Sequence, residues 1–156
     1  DNRGCFFEAF NEKIYSELGI ETNFVQDNFS ISKKNVLRGL HYQKKNPQGK
    51  LISVIRGSIL DIAVDIRKNS KTFGKYQSFI LSEKNCRQLW IPRNFAHGFL
   101  SLSSNTIVNY KCTDLYDPED QNTIIWNDKN LKISWPIKKP IISKKDRNGI
   151  FFRNLY

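Results

Sequence analysis

The sequence predicts an all-β fold, a sandwich or a barrel with one or two short helices, in a single domain over residues 1–156. Short runs of β-branched and aromatic residues recur along the chain with turn signals between them, which is typical of such folds. Of the 156 residues, 39% are hydrophobic, so the chain can bury a core. It begins with Asp1 and not with methionine, from which we expect that N-terminal residues are missing.

One helical pattern lies near the start of the chain. Phe10, Ile14 and Leu18 recur every four residues and Gly19 follows, which predicts a short helix and its end. Strands are predicted for residues 51–55, 59–66, 76–81, 88–91, 97–102, 106–112 and 123–126, the first two forming a hairpin. After Pro136 the chain is polar and interrupted by proline, which predicts an extended surface segment with a short helical turn.

The basic composition is compatible with two kinds of ligand. A net charge of +10 suits either nucleic acid or a substrate that carries a diphosphate. A nucleic-acid-binding β-barrel is the weaker hypothesis, because the lysine-rich segments lack interleaved aromatic residues. We therefore predict no nucleic-acid partner. No membrane association is predicted either, because the chain shows no signal-peptide pattern and no apolar run of spanning length.

Few residues could bind a metal. Cys5, Cys86 and Cys112 are scattered without CxxC spacing, so neither a zinc site nor a disulfide framework is indicated. We expect them to be small buried residues in a reducing cytoplasm, which is the predicted location. The only histidines are His41 and His97, and neither belongs to an HxH pair. No metal site is predicted, which leaves structural hydrogen bonding or proton transfer for each histidine.

The local sequence around each histidine favours a catalytic role. Gly39 precedes His41 by two residues, where it lets the backbone bend or a ligand approach closely. His97 lies between Pro92 and Gly98, which are expected to fix a turn. An imidazole held on a stiff scaffold is suited to general-base catalysis.

These segments, together with others along nearly the whole chain, resemble the dTDP-4-dehydrorhamnose 3,5-epimerase family of bacterial sugar-nucleotide pathways. The similar segments are residues 1–8, 24–28, 36–43, 48–51, 61–67, 88–92, 95–99, 126–128 and 143–146. So many segments in the same order make the resemblance specific. It implies a cupin-like jelly roll, a homodimer, and chemistry without metal or cofactor.

The resemblance implies acid–base chemistry beside a C4 ketone. His41 matches the family's base, and Asp146 matches the carboxylate that orients it. Lys50 matches the residue that stabilises an enolate at C4, and Tyr110 matches the acid that returns the proton. Strand alternation supports the last assignment, because Tyr110 shares a face with apolar residues two positions away on either side.

The resemblance also implies a site for a nucleotide diphosphate. Arg3, Arg38 and Lys145 match residues that neutralise the phosphates, and Tyr116 matches an aromatic residue that stacks on the base. The remaining substrate-contacting or wall positions are His97, Phe6, Glu8, Gln26, Asp27 and Asn28, some of them contributed across the dimer. Gln121 stands where the family commonly has glutamate, which leaves the nucleotide and the sugar open.

The predicted function is inversion at C3 and C5 of a nucleotide-linked 4-keto-6-deoxy sugar by a His base and a Tyr acid. One alternative is a GDP-4-keto-heptose epimerase for surface polysaccharide, or an enzyme that acts at C3 alone. Another is a cupin that binds a sugar nucleotide without catalysis. Retention of His41, Lys50, Tyr110 and Asp146 argues against the second alternative, since binding alone requires no acid–base pair.

Overall fold

Two antiparallel sheets make up most of the structure, a computed structural model that describes residues 1–156. The strands are β1 (Gln26–Ser32), β2 (Leu37–Gln43), β3 (Lys50–Arg56), β4 (Ser58–Asp65), β5 (Tyr76–Ser82), β6 (Gln88–Ile91), β7 (Phe95–Ser101), β8 (Thr106–Cys112) and β9 (Gln121–Thr123). One sheet has the order β1-β8-β3-β6, and the other has the order β5-β4-β7-β2-β9. The predicted all-β class is confirmed.

A hydrophobic core lies between the two sheets. Ile52 and Val108 from the four-stranded sheet pack in one cluster with Ile59 and Phe99 from the five-stranded sheet, and all four are buried. Burial of each such side chain stabilises the fold by roughly 1.5–3 kcal/mol. This cluster fixes how the sheets face each other, and so it fixes the position of the groups that share their inner faces.

The opposite face of the five-stranded sheet carries a second core. Leu40 of β2 and Ile62 of β4 pack there with Ile124, Leu131 and Leu155 from the C-terminal part of the chain. The segment after Pro136 was predicted to run over the surface, but Leu155 is buried and completes this cluster. Because both faces of the sheet are covered, buried residues occur on both sides of β4.

The helices are short. Helix α1 (Glu12–Glu17) begins after Asn11, whose side chain accepts a hydrogen bond from the Ile14 amide, and Gly19 follows with φ +77°. The predicted helix is therefore present, but Ile14 and Leu18 are exposed. Helix α2 (Lys144–Arg147) is the predicted C-terminal helical turn, and a 3₁₀ turn covers Phe152–Asn154. Neither helix has the length and apolar character needed to cross a membrane.

Several predictions of local structure were wrong. Strands β1 and β2 were not predicted, and the strand expected at residues 123–126 ends at Thr123, after which Ile124 makes only an isolated bridge to Ile150. Cys112 is buried as expected, whereas Cys5 and Cys86 are exposed because they lie in irregular segments outside both cores. All three are free thiols, and the cytoplasmic location stays a prediction.

Candidate active site

A cavity of about 320 Å³ opens between the two sheets, beside the inner core. Fourteen residues line it, and none is an aspartate or a glutamate. Nine of the lining residues were predicted site residues: Gln26, Asn28, Arg38, His41, Lys50, His97, Tyr110, Tyr116 and Gln121. A cavity lined by an arginine and a lysine, with no carboxylate at its surface, is suited to an anionic ligand.

His41 is held from behind by a buried carboxylate. It lies on β2, and its Nε2 donates to Asp146 Oδ1 at 2.6 Å, across 105 positions of sequence. Asp146 is buried on α2, where its own amide donates to Ser143 Oγ at 3.0 Å. Burial raises the pKa of Asp146, but hydrogen bonds from His41, Ser143 and the Gly39 backbone and the His41 charge together lower it. The carboxylate is therefore fixed as the partner of His41.

Gly39 allows β2 and β7, the strands that carry His41 and His97, to approach closely. Its φ is +113°, and a Cβ placed on it would lie 2.5 Å from the His97 carbonyl oxygen and 2.6 Å from Gly98 Cα. The β2–β7 register shifts between Arg38 and His41, which brings His41 directly opposite His97. Residues opposite each other on paired strands share a face, so both imidazoles lie on the inner face of the sheet.

The second histidine is also paired with a carboxylate. His97 Nε2 contacts both oxygens of Asp61, at 3.0 and 2.9 Å. Asp61 lies on β4 and is fully buried. Asp61 therefore faces the inner side of the sandwich, behind His97.

The opposite wall of the cavity comes from the four-stranded sheet. Lys50 on β3 is buried, and its Nζ makes no hydrogen bond to another protein group. Burial lowers the pKa of Lys50, while the nearby Cys112 and Asp61 oppose that change. Burial raises the pKa of Tyr110 on β8, with a smaller opposing effect from the Arg38 charge. The Tyr110 phenol is therefore protonated at neutral pH and can donate a proton.

The rim of the cavity is held by polar contacts. Arg38 Nε donates to Ser32 Oγ at 3.1 Å, which directs its guanidinium along the inner face of β2. The amide of Tyr116 donates to Gln26 Oε1 at 2.8 Å. Lys145, beside Asp146 on α2, donates from Nζ to Gln121 Oε1 at 2.9 Å. Lys145 thus lies next to the cavity without lining it.

Three predicted wall residues and one predicted phosphate-binding residue, Arg3, do not reach this cavity. Arg3, Phe6 and Glu8 are exposed, and Arg3 is paired with Asp1. Asp27 was predicted at the wall together with its neighbours in β1, but its carboxylate accepts from Lys111 Nζ at 3.0 Å on the outer face. The reason is strand alternation, which turns the flanking Gln26 and Asn28 inward and Asp27 outward.

Sequence reasoning missed other residues at the site. The lining also includes Tyr42, Gln43, Gln48, Gly98 and Phe99, and Asp61 lies behind His97. A signal for Asp61 was present, because an aspartate inside a β-branched strand is rarely buried unless it is paired. No group of three or more His, Cys, Asp or Glu side chains is placed to hold a metal ion.

A two-sheet sandwich whose sheets each contribute one wall of a polar cavity has the architecture of a cupin-like protein. A family model described as dTDP-4-dehydrorhamnose 3,5-epimerase matches residues 1–154 of this chain. The chain belongs to this family. The predicted family and the predicted cupin-like class are confirmed.

Individual relatives agree with the family model. The chain is 56% identical to a dTDP-4-dehydrorhamnose 3,5-epimerase of Methanothermobacter thermautotrophicus, over 95% of this chain and 82% of the relative. It is 49% identical to one of Pseudomonas aeruginosa, over 97% of this chain and 85% of the relative. A crystal structure of dTDP-6-deoxy-D-glucose-3,5-epimerase from Legionella pneumophila, in complex with dTDP-4-keto-L-rhamnose, is similar with a TM-score of 0.95 and 51% identity, over 98% of this chain and 82% of that chain.

Proposed function

We propose that this chain is an isomerase that inverts C3 and C5 of a dTDP-linked 4-keto-6-deoxyhexose without a cofactor. Family membership and the ligand of the similar Legionella pneumophila enzyme support the substrate class. The observation that carries the mechanism is that His41 and Tyr110 line one cavity from different sheets. Inversion of a carbon requires that a proton leave from one side and arrive from the other.

Proton removal belongs to His41. Its Nε2 is bound to Asp146, so Nδ1 is the nitrogen free to take a proton from the carbon beside the C4 ketone. The Asp146 carboxylate stabilises the imidazolium that forms, as in other His–Asp pairs. The electrons of the broken C–H bond move to the C4 oxygen, which becomes an enolate.

Lys50 is the group that stabilises this enolate. It is buried at the cavity wall, and no protein acceptor occupies its Nζ. A fixed donor at a developing oxyanion in a water-poor site typically accelerates the reaction by about 10²–10³. Lys50 therefore provides its largest effect after proton removal has begun.

Tyr110 completes the inversion. Its phenol donates a proton to the same carbon from the four-stranded sheet, opposite the face from which His41 removed one. The enolate returns to a ketone as the new C–H bond forms. Exchange with solvent restores the proton of Tyr110 and removes that of His41, so the same two groups can act again at the second carbon.

The nucleotide diphosphate is bound at the rim. Arg38 and Lys145 are the nearby cations, and the absence of lining carboxylates leaves their charge available to phosphate. The Tyr116 ring is half-exposed, as required of a side chain that stacks on a nucleobase.

We also propose that the protein is a homodimer. Phe29 and Ile31 on the outer face of β1 are 67% and 68% exposed, and Ile55 of β3 is 55% exposed. An apolar patch on the outside of a sheet favours a protein–protein interface. With a partner on this face, the exposed Arg3 and Phe6 could contribute to the partner's cavity. This agrees with the prediction that some substrate-binding residues are contributed across the dimer.

Sedimentation equilibrium tests the dimer. Phe29→Asp is expected to shift the protein toward the monomer, because it places a charge within the patch that the dimer would bury. Ile80→Asp is the matched control, since Ile80 is a half-exposed strand residue of the other sheet. A wild-type monomer at micromolar concentration would contradict the proposal.

Deuterium incorporation tests the activity. In D₂O, dTDP-linked 4-keto-6-deoxyhexose is expected to gain deuterium at C3 and C5 with inversion, as followed by NMR. The matched variant His41→Asn should abolish incorporation at both carbons while it retains binding. Label at C3 alone would identify a single-carbon epimerase, and binding without incorporation would identify a non-catalytic cupin. A GDP-linked sugar in parallel reports the base preference.

A further inference from the structure

One fully buried carboxylate takes no part in the chemistry proposed above. Asp61 has no exposed surface, and its side chain accepts hydrogen bonds from His97 Nε2 alone. A buried carboxylate is costly unless a donor or a cation compensates it. An apolar residue at this buried strand position would avoid the cost of desolvating a carboxylate, so the presence of Asp61 calls for an explanation.

The surroundings of Asp61 link it to the cavity. His97 lies opposite both Ala63 on β4 and His41 on β2, so Asp61, two residues from Ala63, shares the inner face with both imidazoles. The titratable residues that line the cavity with His97 are Arg38, His41, Tyr42, Lys50, Tyr110 and Tyr116. None is a carboxylate; Asp61 lies behind His97 and contacts it directly.

The two histidines are anchored in the same way. Each binds a carboxylate through Nε2, His41 to Asp146 and His97 to Asp61. A carboxylate only accepts hydrogen bonds, so the nitrogen that contacts it carries the hydrogen. In both rings Nδ1 is left as the nitrogen available to a ligand, and neither Nδ1 makes a hydrogen bond to the protein.

We infer that Asp61 is a positioning residue that holds His97 in the Nε2–H tautomer, with Nδ1 available to the substrate. This role rests on the proposed function, because it assigns a task in the same cavity. The geometry that carries it is the contact of His97 Nε2 with both oxygens of a fully buried carboxylate.

NMR of the imidazole nitrogens tests the tautomer without substrate. The chain has only two histidines, so His41→Asn leaves the His97 signals alone in the spectrum. At roughly pH 9, where an ordinary imidazole is neutral, we expect a protonated Nε2 and an unprotonated Nδ1. Asp61→Asn should give a mixture of tautomers, because an amide can donate as well as accept. An Nδ1–H form in the protein that keeps Asp61 would overturn the inference, whatever the enzyme's activity.

Asp65→Asn is the matched control for the spectrum. Asp65 is buried on the same strand, but its carboxylate is bound by Arg67, Ser70 and Thr72. That variant should leave the His97 tautomer unchanged, and a mixture of tautomers in Asp65→Asn equal to that in Asp61→Asn would assign Asp61 a structural role only. If Asp61→Asn does not fold, the His97 tautomer in His41→Asn decides alone.

Discussion

Replacement of Gly39 by alanine tests how closely β2 and β7 must approach to hold both histidines in one cavity. Two independent penalties act at this position. The backbone has φ +113°, a conformation that side chains other than glycine rarely adopt. The added Cβ would also lie 2.5 Å from the His97 carbonyl oxygen and 2.6 Å from Gly98 Cα, and both atoms are backbone. The strands must therefore separate.

The magnitude follows from these two contributions. Backbone strain of this kind costs roughly 1–3 kcal/mol, and overpacking of a tight interior costs roughly 1–3 kcal/mol. The free energy of unfolding should therefore fall by about 2–6 kcal/mol. At about 2–4 °C per kcal/mol for a chain of this size, Tm should fall by roughly 4–24 °C. Because His41 lies two residues further along β2, a displacement near 1 Å should also lower kcat/KM by about 100-fold.

Calorimetry and deuterium incorporation together measure the two effects, with turnover assayed well below the Tm of the variant. Gly19→Ala separates strain from contact, because Gly19 also has positive φ, at +77°, but nothing lies within 4 Å of its added Cβ. That control should lose about 1–2 kcal/mol and keep its activity. Two outcomes would refute the reasoning. One is a loss of Tm in Gly39→Ala no larger than that in Gly19→Ala. The other is a kcat/KM of Gly39→Ala within about threefold of wild type, where misplacement of His41 predicts about 100-fold.

Three further changes test the proposed roles and the ionic contacts. Tyr110→Phe keeps the ring but loses the acid, so inversion should fall by about 10²–10⁴ while His41 still exchanges substrate protons with D₂O; wild-type inversion by NMR would contradict the assignment. Asp146→Asn should lower kcat by about 10²–10⁴ with little change in KM, because the imidazolium loses its carboxylate; a steady-state loss confined to KM would instead indicate a binding role. The folded-state pKa values of Asp65, Asp120 and Asp146 are lowered, so their stabilisation is present above the ordinary aspartate range and is lost as pH falls through the lowered values. Urea midpoints should therefore drop on acidification below about pH 4, and less steeply in Asp65→Asn.

The strands that sequence reasoning found and those it missed differ in the polarity of their inner faces. Residues 51–55 and 59–66 carry β-branched residues into a core, and both were predicted. In β1 the inward positions include Gln26 and Asn28, while Phe29 and Ile31 point outward. The alternation is present but reversed, because the cavity takes the place of a core there. In β2 the pattern is interrupted at Gly39, where close strand packing excludes a side chain.

The residues of the site were predicted unevenly for a related reason. His41, Lys50 and Tyr110 came from the family resemblance, and the structure places all three at one cavity. Asp146 lies 105 positions from His41, so no local spacing could have paired them. Asp61 was visible as a polar residue in an apolar strand, but its partner became evident only from the β4–β7 register.

The C-terminal segment connects the stability of the fold to the chemistry of the cavity. Leu155 closes the outer core of the five-stranded sheet, and the same segment presents Asp146 to His41 on the inner side. Parallel bridges from Val36 to Ile141 and from Ile124 to Ile150 fix it at two points, before and after α2. With both faces of the sheet covered, its inner face can carry polar groups at the cavity because the outer face supplies apolar burial in their place. The partner of the base is therefore held by the same packing that makes a polar inner face stable.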